Sequence, residues 1–433
     1  MQQVNLENIQ YFIIMSRKSH SSGKYQLINI LGKIACPRIM PVRNYKFRLY
    51  PTASQEKKLQ NNLNVCRWIY NKFVEHAQNN FLTRNEMNYI LTELKQSESW
   101  LYNYHSKMLQ MVSTQLEGAE KALIELDKKG YKTGNLKFAR YDEYRTFTYN
   151  QSGYKLEQHG YTDLLWLSKI GFIEIRRHRE PVGDMKQISI SRSKSGKWYA
   201  IATCEINTAI DISKINFEKS VGIDVGIRNF AYDSAGHVTP NPLNLKKLLK
   251  PLARIQRKIS RRQKGSNNRK KAVKFYQKIH ERIANRRRDF HHKLSTQYAK
   301  DNDIVFVERL AKLNMVKNHR LARDILDSGW GTFCSMLGYK CKMLVEVSAR
   351  NTTVDCSRCR SAVPKGLAVR IHCCDNCGLV LDRDHNASLN ILQKGLNILE
   401  MDNRLPQELR EVMPVKISTR SMKQEKSNDL GRW

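Results

Sequence analysis

Three acids in this sequence occupy positions where a carboxylate is costly. Val221-Gly222-Ile223-Asp224-Val225-Gly226-Ile227 reads as an apolar strand with Asp224 at its centre, and Ile304-Val305-Phe306-Val307-Glu308 as a second apolar strand ending on Glu308. The segment Asp382-Arg383-Asp384-His385-Asn386-Ala387-Ser388 sets acids just ahead of an apolar helical run, Leu389 to Leu392. A carboxylate buried in a strand loses hydration worth several kcal/mol unless a cation or hydrogen bonds compensate it. Taken singly, a salt bridge explains Asp224, a solvated strand end Glu308, and a helix cap Asp384. Taken together they are hard oxygen donors of the kind that two Mg²⁺ (or Mn²⁺) ions need to bridge a phosphate, one ion activating water and the other stabilising the leaving 3′ oxygen.

The cysteines suggest a second metal. Of ten, five lie between 356 and 377. Cys356-Ser357-Arg358-Cys359 is followed, after fourteen residues, by Cys374-Asp375-Asn376-Cys377. Two such knuckles offer four thiolates to tetrahedral Zn²⁺ and leave no open position for catalysis, so the site reads as structural. Cys373 is the alternative ligand; Cys374 is preferred because it restores the two-residue gap. Thiols clustered in a long chain, rather than spread through a short one, indicate a reducing compartment.

These residues need elements to hold them. After Met40-Pro41 comes an alternation of Tyr45, Phe47 and Leu49 with Lys46, Arg48 and Tyr50, the pattern of a strand. Residues 1–39 show little periodicity and read either as an N-terminal extension or as a start placed ahead of Met40. Thr52 and Gln55 form a capping box, and Leu59, Leu63, Cys66, Tyr70 and Phe73 continue at helical steps. Met108, Val112, Leu116, Ala119, Leu123 and Leu126 mark a second helix, so 52–130 reads as a helical insert. From 131 the texture turns aromatic and β-branched, with strands expected at 144–149, 172–177, 187–193 and 198–206. Hence the expectation of a β-barrel over 40–51 and 131–215, split by helices after its first strand. An Asp on a first strand followed by a hairpin, a Glu on a later strand and an Asp at a helix start form the order of a ribonuclease H-like α/β domain, expected at 216–350 and 379–400. The zinc ribbon falls at 351–378, and 401–433 reads as a disordered tail. The fold class is α+β, multidomain.

Charge names the partner. With 75 Lys+Arg against 40 Asp+Glu the formal charge is +35, an excess best relieved by nucleic acid. It is densest over 251–293, where Arg254, Arg257, Lys258, Arg261, Arg262, Lys270, Lys271, Lys274, Arg286, Arg287 and Arg288 are candidate phosphate contacts. Ile255, Ile259, Phe275, Ile279 and Ile283 thread this stretch at helical spacing, and Gly265-Ser266-Asn267-Asn268 breaks it, which predicts a helical hairpin with one packed and one cationic face. Trp68, Tyr70, Trp330 and Phe333 are candidates for base stacking or for core. No apolar run is long enough to span a bilayer and no signal peptide opens the chain, so a cytoplasmic, nucleoid-associated protein is expected rather than a secreted or membrane one.

Asn44-Tyr45-Lys46-Phe47-Arg48-Leu49-Tyr50-Pro51, Gly222-Ile223-Asp224-Val225-Gly226, Phe306-Val307-Glu308-Arg309-Leu310, Gly329-Trp330-Gly331-Thr332-Phe333, the paired CxxC and Asp382-Arg383-Asp384-His385-Asn386-Ala387 stand in the order of the TnpB family. The chain resembles these transposon-encoded RNA-guided nucleases, which are similar to ancestors of type V CRISPR effectors, over about 42–399. The resemblance implies a wedge-like (OB-like) barrel interrupted by a helical recognition lobe, then a RuvC-like nuclease domain containing a zinc ribbon that binds target nucleic acid. It implies a catalytic triad of Asp224, Glu308 and Asp384, with Asp382 a helper or cap. It also implies a guide RNA from the transposon end and cleavage of double-stranded DNA beside a short flanking motif; the oligomeric state is left open, with one monomer per guide favoured. A guided repressor that has lost cleavage, and a transposase that joins strands, are the alternatives.

Overall fold

The alternation along Val42–Tyr50 (β1) buries Tyr45, Phe47 and Leu49 and turns Lys46 outward. In this computed structural model, which describes residues 42–77, 81–141, 143–206, 215–366 and 368–401, that strand lies in the middle of a sheet. The expectations for 1–39, for Met40 and for the tail after Met401 fall outside the described residues. The chain divides into two compact units, one holding 42–206 with Leu243–Phe290 and the other 215–242 with 291–401.

In the first unit, Thr52 and Gln55 make the capping box, with Gln55 N donating to Thr52 Oγ1 at 3.3 Å and Thr52 N to Gln55 Oε1 at 3.0 Å. This opens α1 (Ala53–Ala77); α2 (Arg84–Ser97) and α3 (Ser106–Lys128) follow. Leu59, Leu63, Cys66, Ile69 and Phe73 of α1 share a core with Met108, Val112 and Leu116 of α3 and with the inward side chains of β1. Six strands then follow: β2 (Thr146–Asn150), β3 (Tyr154–His159), β4 (Thr162–Leu167), β5 (Gly171–Arg176), β6 (Asp184–Arg192) and β7 (Trp198–Glu205). Every pairing among them is antiparallel, in the order β2-β6-β7-β1-β5-β4-β3. The two edge strands, β2 and β3, are consecutive in sequence, ending and starting at Asn150 and Tyr154. Four Cα steps reach about 15 Å, whereas the edges of a flat seven-stranded sheet stand about 29 Å apart, so the sheet must curl. Among the described residues the two edges are not paired, so the curl stays open.

The basic stretch forms α4 (Leu249–Ser260) and α5 (Asn267–Asp301), joined through Gly265 at φ +86°. Arg269 holds the joint by donating to the carbonyls of Ile259 at 2.5 Å and Arg262 at 3.1 Å. Residues 243–290 group with the first unit, whereas 215–242 and 291–401 group with the second. The cause lies in Glu281, which accepts from Ser195 Oγ at 2.7 Å and Tyr199 Oη at 3.2 Å and pairs with Lys197 at 3.1 Å. Phe275, expected on the packed face, is 53% exposed, while Ala272 and Ile283 are buried.

The second unit holds a five-stranded sheet, in the order β10-β9-β8-β11-β12. Its strands are β8 (Ser220–Val225), β9 (Asn229–Asp233), β10 (Val238–Pro240), β11 (Ile304–Glu308) and β12 (Met343–Val347). The first three form an antiparallel meander, and β11 lies parallel to both β8 and β12. Between β11 and β12 run α6 (Lys312–Met315), α7 (His319–Ser328) and α8 (Trp330–Lys340). Trp330 and Phe333 of α8 are core residues, with Phe333 edge-on to Phe230 at 5.2 Å, so they are not free to stack on bases. A two-stranded hairpin, β13 (Ile371–Cys373) and β14 (Val380–Asp382), leads into α9 (Arg383–Met401).

Candidate functional site

Gly222 explains how an acid on β8 meets an acid on α9. A Cβ at this position would stand 2.3 Å from Ser388 O and 2.6 Å from Leu392 N, so the bare backbone of β8 lies against the backbone of α9. Gly395 makes the same kind of contact with Phe306 of β11, where a Cβ would stand 1.9 Å from the ring. These two glycines seat α9 on one face of the sheet. Strand side chains alternate, so Asp224 shares the face of Gly222, and Glu308 that of Phe306. The register pairs Ile223 with Val307, and Asp224 and Glu308 come next along the two parallel strands. Asp384 lies in the first turn of α9.

Asp224 feels both of the other carboxylates. Desolvation, then Glu308, then Asp384, push the Asp224 carboxyl well above its ordinary range, and Arg383 only partly offsets them. Desolvation also raises Glu308, against the opposing hydrogen bond from Thr352 and the charge of Lys394. Arg383 holds Asp384 with both Nε and Nη2 on Oδ1, at 3.1 and 2.9 Å. Asp382 caps α9, its Oδ1 accepting from Asp384 N at 2.8 Å, and its charge adds to the load on Asp224. Sequence reasoning left Asp382 as helper or cap, and the geometry makes it a cap. Asp233, a further acid close by, is a turn former that accepts from the backbone N–H groups of Ala235 and His237. The three acids are half-buried hard oxygen donors, but among the described residues it is the cysteines, not these acids, whose ligand atoms lie close enough together to hold an ion.

The four predicted cysteines come together. The Sγ atoms of Cys356, Cys359, Cys374 and Cys377 all lie within 4.8 Å of one another, with Cys356 to Cys377 at 3.6 Å and Cys359 to Cys374 at 3.5 Å. Sulfurs about 2.3 Å from a tetrahedral centre stand about 3.8 Å apart, so the cluster fits a metal of that kind. The two knuckles repeat one backbone design. Cys356 N donates to Ser361 O and accepts at its own carbonyl from Arg360 N; Cys374 does the same with Leu379 O and Gly378 N. The residue after each second cysteine is left-handed in both, Arg360 and Gly378 each at φ +67°. Cys373 is exposed on β13 and is not part of the cluster.

The cationic candidates are spread along both helices of the hairpin. Arg254, Arg257, Lys258, Arg261 and Arg262 line an open hollow of about 420 Å³ and make no ion pair among the described residues. Lys270, Lys271, Lys274, Arg286 and Arg288 are exposed, and Arg287 is half-buried. Three residues that sequence reasoning missed are Thr352, Asn386 and Asn390, all buried beside the acids or the knuckles. Only the four-residue spacing of the two asparagines, which puts them on one helix face, could have signalled them.

Comparison with known proteins shows what the chain is similar to. A family model described as "Probable transposase" matches residues 205–319, one described as "Cas12f1-like, TNB domain" matches 330–391, and one described as "Helix-turn-helix domain" matches 40–85. A Streptomyces pristinaespiralis protein named "Putative RNA-guided DNA endonuclease" is 32% identical over 376 residues, covering 82% of this chain and 89% of its own length. The chain belongs to the TnpB family. A second relative, "Putative RNA-guided DNA endonuclease InsQ" of Escherichia coli K12, is 30% identical over 385 residues, covering 82% of this chain and 92% of its own. "TnpB-like protein L79" of Acanthamoeba polyphaga mimivirus is 31% identical over 201 residues, 42% of this chain and 38% of its own. As a TnpB-family chain it also aligns with a solved Cas12f1–sgRNA–target DNA complex over 81% of its length, though only at a TM-score of 0.30 and 13% identity. No helix among the described residues is long and apolar enough to cross a membrane.

Proposed function

We propose that this protein is an RNA-guided DNA endonuclease whose single hydrolytic centre is Asp224, Glu308 and Asp384. The observation that carries the reading is the convergence of those acids from β8, β11 and the start of α9, with Asp224 desolvated and further burdened by its two neighbours. Two strands and a helix seated by Gly222 fix the three carboxyls relative to one another, so few rotamers need ordering when phosphate arrives. Strand order and direction in the five-stranded sheet support a ribonuclease H-like, RuvC-type domain. Mg²⁺ held by the three acids would supply Lewis-acid stabilisation of the phosphoryl oxygens and a water of lowered pKa. Arg383, with Nε and Nη2 both on Asp384 Oδ1, restrains the orientation of that carboxylate. Zn²⁺ in the cysteine cluster would be structural, since all four positions are taken by thiolates.

The partners follow from charge and kinship. Two full-length relatives carry names that specify RNA guidance and DNA cleavage, and a +35 chain with unpaired cations along α4 suits a backbone-tracking role in which base pairing does the sequence reading. The curled sheet with its inserted helices is then the wedge and recognition lobe. The test uses the protein co-expressed with its own downstream DNA, supplied with a plasmid library randomised beside a guide-matched target. Cuts that require both the guide and Mg²⁺, clustered beside one short motif, are expected; binding without cuts would move the reading to a guided repressor. The family description also names transposition, so labelled transposon ends belong in the same experiment. Efficient joined product would replace hydrolysis with strand transfer.

A further inference from the structure

The ribbon is not merely beside the acid pocket; a continuous set of buried and part-buried hydrogen bonds joins them. Asn386, fully buried on the second turn of α9, accepts from Ser357 N at 2.9 Å and donates to Asp355 O at 2.9 Å. Ser357 lies between Cys356 and Cys359, so this bond grips the first knuckle itself. One turn later Asn390, 1% exposed, donates to Asp355 O at 2.7 Å and Thr352 O at 2.9 Å and accepts from Arg360 Nη1 at 3.3 Å. Thr352, 2% exposed, closes the set by donating its hydroxyl to Glu308 Oε1. A further turn along, Lys394 Nζ donates to Arg350 O. Positions 386, 390 and 394 recur every four residues, so one stripe of α9 clasps the whole segment 350–357.

Each of these buried groups is polar and none could be left unpaired without a cost. The stripe belongs to the helix that starts with Asp384, and the segment it holds touches Glu308 at one end and carries two cysteines at the other. We propose that Asn386 and Asn390 are positioning residues that couple the four-cysteine site to the acid pocket, with Thr352 as the contact that sets Glu308. Whatever holds the first knuckle in place therefore also holds Glu308 and Asp384 in register. Coupling of this kind is reciprocal, so a loosened stripe weakens cation binding at the acids and metal retention at the cysteines together.

The activity arm of the test rests on the nuclease reading above; the metal-release arm does not. Asn386→Ala and Asn390→Ala protein, purified with zinc, is mixed with an excess of a colorimetric chelator and the release rate followed. Release is expected to quicken by about ten- to a hundredfold over wild type, the usual effect of removing a partner that orients metal ligands. In guide-directed cutting the same variants should need about tenfold more Mg²⁺ for half-maximal rate, recover at high Mg²⁺, and bind guide and target as wild type does. Thr352→Val, which keeps the side-chain volume, should shift the Mg²⁺ requirement without altering zinc release, and Thr352→Ser should restore it. Wild-type zinc release from both asparagine variants would overturn the proposal, as would an unchanged Mg²⁺ requirement in all of them. If wild-type protein does not cut at all, the nuclease reading fails while the release rates still decide the coupling.

Discussion

Replacing Gly222 by Ala adds one methyl group at the seat of α9, and its consequence can be worked from distances. The new Cβ would meet Ser388 O at 2.3 Å and Leu392 N at 2.6 Å, both helix backbone and therefore unable to swing aside. Ordinary contact begins near about 3.4 Å, so β8 and α9 must part by about 1 Å. Overpacking of this kind costs about 1–3 kcal/mol, equivalent to a melting-temperature loss of roughly 2–10 °C. The larger effect is on chemistry. Asp224 sits two residues from the added methyl on the same strand face, while Asp384 rides on the displaced helix. A misplacement of about 1 Å between groups that act together typically lowers rate about a hundredfold. The assay is single-turnover cleavage of a guide-matched duplex at saturating protein, with target affinity measured separately. Gly338→Ala is the control, because its Cβ would meet only Leu344 Cδ2 at an ordinary 3.5 Å. If Gly222→Ala cuts at the wild-type rate, or if it loses target binding in proportion to cutting, the argument that α9 aligns the acids is refuted.

Asp224→Asn should melt higher than wild type at neutral pH in EDTA: a carboxyl whose folded-state pKa is raised contributes stability that is fully present below the unfolded pKa and is lost as pH rises through the folded one. Mg²⁺ should raise the melting point of wild type and not of Asp224→Asn; equal shifts in both would place the cation elsewhere. Cys374→Ser should reduce bound zinc from about one per chain to nearly none, whereas Cys373→Ser should leave it unchanged, as read by elemental analysis. Changing Arg254, Arg257, Lys258, Arg261 and Arg262 to Gln should lower the slope of log affinity against log salt by about 4 if all contact phosphate. An unaltered slope would remove α4 from the nucleic-acid surface.

The strands and long helices were legible where burial imposes a period. The alternation of Tyr45, Phe47 and Leu49, the capping box at Thr52 and the run from Leu59 to Phe73 all appear as read. The hairpin of β3 and β4 was not anticipated, because Tyr154-Lys155-Leu156-Glu157-Gln158-His159 carries a weak apolar signal on a half-exposed edge strand. Likewise the placement of 243–290 with the first unit could not be read from charge density. It depends on Glu281 finding Ser195, Lys197 and Tyr199, more than eighty residues away in sequence. Acids in apolar strands and cysteines at fixed spacing announce themselves because their residue types are costly or rare in those settings. Buried asparagines do not: Asn386 and Asn390 look like ordinary polar positions until the carbonyls they satisfy are known.

The most direct test of the central claim is single-turnover cutting of a guide-matched target by Asp224→Ala, Glu308→Ala and Asp384→Ala, beside target binding by each. Loss of cutting in all three with guide and target affinity retained is predicted, since each variant removes a cation donor and no phosphate contact. Any one of them cutting at the wild-type rate would contradict the assignment of this pocket as the hydrolytic centre.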